Sequence, residues 1–256
     1  SFIMNTPTLT ATPTRLAERF AAIRKQSLKI CEPLYIEDYV AQPAIFVSPP
    51  KWHLGHTTWF FENFVLAPHA PGYTLFNESF NYCFNSYYES QGERVQRDHR
   101  GNLIRPPLQE VRQYRAHVDE HMQRFLEEHD PGSELREVIE VGLQHEQQHQ
   151  ELLTTDIKYI LANNPLQPTY LQEGFPKNAP KPQTLEFLPV EEGIYHIGYE
   201  GDDFSWDNER APHRVYLEDY HIADRLVTNA EFMEFMEDGG YRNFHLLHRE
   251  WNRIQS

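Results

Sequence analysis

The heptapeptide HEQQHQE, residues 145–151, brings two imidazoles and two carboxylates together within two helical turns. Its first five residues match the HExxH spacing of zinc peptidases, where two histidines one turn apart hold the metal and the glutamate between them acts as base. Successive helical residues rotate by about 100°, so His145 and His149 share a face and Glu151 falls on nearly the opposite side. A peptidase of this type needs a third ligand, either a histidine in the extended form HExxHxxGxxH or a glutamate from a following helix. Thr155 stands at the position of that histidine and Leu152 at that of the glycine, and the residues after the helix are proline-rich. Glu146 is therefore not expected to be a base, and the two histidines lack a partner from their own motif.

KWHLGHTTWFF, residues 51–61, offers one. His53 and His56 lie on an otherwise apolar, aromatic run, where a buried imidazole needs a partner to offset its desolvation. At least one of them is expected to meet a metal, and the spacing alone does not say which. Val138 and Leu152 extend the stripe of His145 and His149, so the ligands are expected to face a core. His99, His117 and His129 stand among polar neighbours and are expected to be solvated.

Helical periodicity supplies the elements that would hold these side chains. Residues 13–31 carry Leu16, Phe20, Ile23 and Ser27 at helical spacing. A second helix spans 51–67, and a third follows Pro106-Pro107 with Val111, Tyr114, Val118, Met122, Phe125 and Leu126 on one stripe. A fourth runs from a capping Ser133 to about Asn163. Residues 69–106 show no sustained period and read as a long crossover loop, the kind of segment that commonly carries function. Four long helices with one long crossover make a four-helix bundle over 12–164, in which facing side chains commonly hold a metal. A proline-rich linker over 165–183 then leads to short alternating runs from 184 to 256, a second, strand-containing domain. The fold class is α+β.

Composition narrows the function. With 39% hydrophobic residues the 256-residue chain can bury a core, and a net charge of −15 without a basic tract disfavours nucleic acid. Two cysteines, Cys31 and Cys83, make no disulfide framework and suit a reducing compartment. No long uncharged apolar run signals a membrane span or a signal peptide, so a cytoplasmic protein is expected.

Taken together, WHLGHTTWFFENFVL, FNYCFNSYYE, GERVQRDHRG, LQHEQQHQELLTTDIKYIL and GIYHIGYEGDDFSWDNERAPHRVYLEDYHIADRLVTNAEF resemble, in order over residues 12–250, the sulfoxide synthases of ergothioneine biosynthesis. The resemblance implies a DinB-like bundle followed by part of a formylglycine-generating-enzyme-like domain, of the C-type-lectin-like kind. It implies a non-haem Fe(II) enzyme that uses O2 to join the sulfur of cysteine or γ-glutamylcysteine to the imidazole C2 of hercynine. It also assigns roles: His56, His145 and His149 as iron ligands, Gln148 as the holder of the hercynine imidazole, and Arg94 and Arg97 as a carboxylate clamp for the thiol substrate. Tyr87 and Tyr88 supply a phenol near the iron, one of them catalytic and the other supporting, and His53 becomes a packed neighbour. The second domain is short for this family, so the chain is expected to bind iron but to turn over poorly. A selenium-using homologue, a metal-binding DinB-like hydrolase or thiol transferase, and an inactive metal-binding fragment remain alternatives.

Overall fold

The computed structural model describes residues 13–86, 92–172 and 183–242. The chain divides into two compact units, Ser1–Gly174 and Phe175–Ser256.

In the first unit, α1 (Pro13–Cys31) buries Leu16, Ala17, Phe20, Arg24, Ser27 and Cys31, one continuous stripe along the helix. The presence of Arg24 and Ser27 on that stripe means that the core must contain a charged partner for them. α2 (Pro50–Phe61) is buried at all of its positions, as its nearly all-round apolar sequence requires. A π turn over Glu62–Leu66 and a final helical turn, α3 (Ala67–His69), continue it. The π turn coincides with a buried carboxylate: Glu62 accepts hydrogen bonds from Tyr73 Oη (2.7 Å), the Phe76 amide (2.9 Å) and Tyr114 Oη (2.6 Å). α5 (Leu108–Glu128) and α6 (Ser133–Ala162) complete the bundle, α1 and α2 each packing against both of them.

Several sequence expectations need amendment. The crossover contains a short helix, α4 (Ser79–Phe84), and a 3-10 turn at Arg97–Asn102. Ser133 is the first helical residue and does not cap; Gly132 occupies the N-cap and provides no side-chain bond. Leu152 is 44% exposed, whereas Leu153 is buried. At about 100° per residue the buried arc of α6 centres on Glu146, Leu153, Ile157 and Ile160, so His145 and His149 lie on its flank and Leu152 lies beyond them in solvent. His117 is packed, not solvated: its ring centroid stands 4.2 Å from that of His121, 5.5 Å from Phe76 and 5.7 Å from Tyr73. His99 and His129 are exposed, as expected.

In the second unit, β1 (Phe187–Val190) pairs antiparallel with β4 (Tyr220–Ala223), and β2 (Gly193–Ile197) with β3 (His213–Leu217). The inner pair is thus nested within the outer one along the chain. α7 (Asn229–Glu237) starts at a capping box. Thr228 Oγ1 accepts from the Glu231 amide (3.3 Å), and Glu231 Oε2 accepts from the Thr228 amide (2.9 Å).

Candidate metal centre

Two helices bring three imidazoles together. His56 projects from α2, and His145 and His149 project from successive turns of α6. One ligand atom from each lies within 4.8 Å of the others. Ring centroids are 4.9 Å apart for His56 and His145, 4.8 Å for His56 and His149, and 4.6 Å for His145 and His149. Close helix approach makes this possible. A Cβ on Gly142 of α6 would come within 2.7 Å of the Phe60 and Phe61 rings of α2, and one on Gly55 would come within 2.3 Å of Phe84.

The surroundings keep the rings neutral. Burial, reinforced by the neighbouring His145, pushes the His56 pKa well below the ordinary histidine value, and burial together with the other imidazoles does the same to His149. Burial lowers His145 to about 4. His56 Nδ1 donates to the Phe84 carbonyl at 2.6 Å, which leaves the lone pair on Nε2, and that atom stands 3.1 Å from His145 Nε2. Metal–nitrogen bonds of about 2.0–2.1 Å place neighbouring ligand nitrogens about 3 Å apart, so this pair is at ligating separation. The buried Nδ1 of His145 has no hydrogen-bond partner among the described residues. Three neutral, convergent nitrogen donors fit a borderline divalent metal and leave other coordination positions open to exchangeable ligands.

Around the triad, Trp52 stacks on His56 at 4.5 Å with 13° between the planes, and Trp59 stacks at 5.6 Å with the same angle. The Arg100 guanidinium lies 3.3 Å over the Trp52 ring and donates to Ser48 Oγ (2.8 Å) and Ser86 Oγ (3.1 Å).

Glu146, the would-be peptidase base, points elsewhere. Its carboxylate is fully buried and accepts from Arg24 Nη1 (2.9 Å), Ser27 Oγ (2.6 Å) and Arg115 Nη2. Arg24 also reaches Asp119 Oδ1 (2.6 Å) and Thr58 Oγ1 (2.8 Å), so the network joins all four bundle helices. Burial alone would raise the Glu146 pKa, but the charges of Arg115 and Arg24 and the hydrogen bonds from Arg115 and Ser27 overcome it and hold the value at about 2. This carboxylate balances the core arginines.

Of the other residues singled out in the sequence, Gln148 is exposed on α6, just beyond the histidine flank. Arg94 is half-buried in the extended stretch before the 3-10 turn, and Arg97 is exposed, donating to the Phe46 carbonyl at 2.6 Å. Tyr87 and Tyr88 lie outside the described residues. Sequence reasoning missed Asp156, whose Oδ2 accepts from His53 Nε2 at 2.8 Å. It stands seven residues after His149, two turns along the same face, and that spacing was the available signal.

This bundle, with clustered histidines on its second and fourth long helices, is matched by one family model, "DinB superfamily", over residues 19–153. The chain belongs to the DinB superfamily. Residues 172–256 match the model described as "Sulfatase-modifying factor enzyme 1-like domain", so a helical DinB region is followed by a small α+β domain, the combination expected from the resemblance. Similar curated proteins include "Hercynine oxygenase" of Mycolicibacterium smegmatis, 29% identical over 235 residues, which is 88% of this chain and 51% of that protein. "Ergothioneine biosynthesis protein 1" of Neurospora crassa is 27% identical over 167 residues, 59% of this chain and 18% of that protein. The chain thus spans about half the length of the first relative and less of the second. The domain pair and these two relatives support the resemblance to the sulfoxide synthases of ergothioneine biosynthesis. Among the described residues, no helix is long and apolar enough to cross a membrane.

Proposed function

We propose that the chain carries the metal-binding part of an iron(II)- and O2-dependent sulfoxide synthase acting on hercynine and a cysteine-type thiol. The observation that carries this reading is the buried, neutral triad of His56, His145 and His149 inside a DinB bundle that precedes a sulfatase-modifying-factor-like stretch. The reaction balances: one thiol, one imidazole C–H and O2 give the C–S bond, the sulfoxide oxygen and one water. Bound iron(II) would supply an electron source for O2 and a site for the thiolate.

The chain's own residues position the partners. The triad occupies the flank of α6 and leaves the solvent side of the histidines to substrate. There Gln148, exposed one residue before His149, offers an amide that donates to or accepts from an imidazole without adding charge. Arg94 and Arg97 are assigned to the thiol substrate's carboxylate, which a guanidinium fork matches in bidentate fashion. A phenol of Tyr87 or Tyr88 serves as the proton donor. The position of Glu146 weighs against a hydrolase, because a base must reach the metal-bound water.

The test is anaerobic loading with iron(II), followed by hercynine, O2 and either cysteine or γ-glutamylcysteine, with iron content, O2 consumption and sulfoxide measured on one sample. Sulfoxide formed in proportion to O2 supports the reading, and the preferred thiol identifies the co-substrate. Turnover only with a selenium donor would assign the selenium homologue, and metal-dependent hydrolysis without O2 would assign a hydrolase. Metal binding with neither reaction would leave a binding domain.

A further inference from the structure

A hydrogen-bonded chain runs from a carboxylate through a second imidazole to the back of the triad. The Ser48 amide donates to Asp156 Oδ2 at 3.0 Å, His53 Nε2 faces the same oxygen at 2.8 Å, and His53 Nδ1 faces His149 Nδ1 at 2.9 Å. Each contact restricts the next. A carboxylate only accepts, so His53 Nε2 carries the proton. Burial, against the opposing Asp156 carboxylate, favours the form of His53 with one N–H, and with that proton on Nε2 the Nδ1 atom is left to accept. The short Nδ1–Nδ1 contact then requires His149 Nδ1 to donate, and the lone pair of His149 is confined to Nε2. We propose that His53 and Asp156 are positioning residues that fix the tautomer and ring orientation of His149 for metal binding, with His53 relaying the Asp156 carboxylate. His53 is then more than a packed neighbour: it does for His149 what the Phe84 carbonyl does directly for His56. Outer partners of this kind raise ligand basicity and hold ring orientation, and their loss costs about 10–100-fold in metal affinity.

The inference rests on the metal reading of the triad, and the experiment separates the two. Ring-nitrogen NMR shifts of His149 are recorded in the metal-free protein, and the dissociation constant for cobalt(II) is measured by chelator competition, for the parent and for His53→Leu, Asp156→Ala and Asp156→Asn. The parent should show a protonated Nδ1 and an unprotonated Nε2 on His149. His53→Leu and Asp156→Ala should mix the tautomers and weaken cobalt binding by about 10–100-fold. Asp156→Asn keeps an acceptor but no charge, so it should retain the tautomer and weaken binding less, and being isosteric it carries the test if the other variants do not fold. A parent with the proton on Nε2 overturns the proposal, as does cobalt affinity that is unchanged from the parent in every folded variant. A parent with the expected tautomer that binds no cobalt sinks the metal reading instead.

Discussion

The adjacent side chains His145 and Glu146 do unrelated work because about 100° of helix rotation separates them. Removing a ligand should therefore differ in kind from removing the glutamate. His145→Ala, His149→Ala or His56→Ala should lower iron(II) affinity by more than the roughly 10–100-fold typical of outer partners, with circular dichroism unchanged, when stoichiometry is followed by elemental analysis. Full iron binding by His56→Ala would move the third ligand elsewhere. Glu146→Gln should keep the ligands but unbalance Arg24 and Arg115, costing about 3–5 kcal/mol in urea unfolding. The folded pKa of Glu146 is about 2 against an ordinary 4.5, so its stabilisation is complete above pH 4.5 and is lost as pH falls through about 2. The gap between parent and variant should shrink over that interval; a gap independent of pH would mean that the charge is not what matters. At this scale the sequence disclosed His145 and His149 through their period, and left His53 and His56 unresolved because their partners lie on another helix. The arginine partners of Glu146 were illegible for the same reason: nothing local to α6 points to Arg24 or Arg115.

Helices whose burial follows one stripe were legible almost to their ends, as α1 and α5 show, since the period of Leu16 to Cys31 or Val111 to Leu126 is a local property. Three features were not. The six residues of α4 are too few to display a period, and the π turn at Glu62–Leu66 accompanies partners that Tyr73, Phe76 and Tyr114 supply from elsewhere in the chain. The flank position of the histidines on α6 emerges only when α1 and α5 claim Glu146 for the centre. The approach of α2 and α6 depends on Gly142, where an added methyl meets two phenylalanine rings at 2.7 Å. Gly142→Ala should cost about 1–3 kcal/mol through overpacking, and by pushing α6 from α2 it should also weaken metal binding. A variant as stable as the parent with unchanged affinity would show that the rings can yield.

For the molecule as a whole, the three clustered histidines, His53 and Asp156 all precede the boundary at Gly174, so the proposed metal centre lies within the first unit. A fragment ending at residue 174 should fold and bind cobalt(II) with the parent's affinity, as measured by the same chelator competition. A large loss would mean that the second unit contributes to the centre. The helical region followed by a strand-containing one was legible from the change in composition after Pro165, whereas no local pattern could reveal that Arg97 is exposed and donates to the Phe46 carbonyl. The stacking of His56 between Trp52 and Trp59 has an optical consequence. Two of the four tryptophans in the sequence have ring centroids 4.5 and 5.6 Å from that of His56. An open-shell ion at that ring offers their excited states a non-radiative route to the ground state, which a filled-shell ion such as zinc lacks. Cobalt(II) should therefore dim the intrinsic ultraviolet emission in step with occupancy while zinc(II) leaves it bright, so the protein reports the electronic character of its own guest.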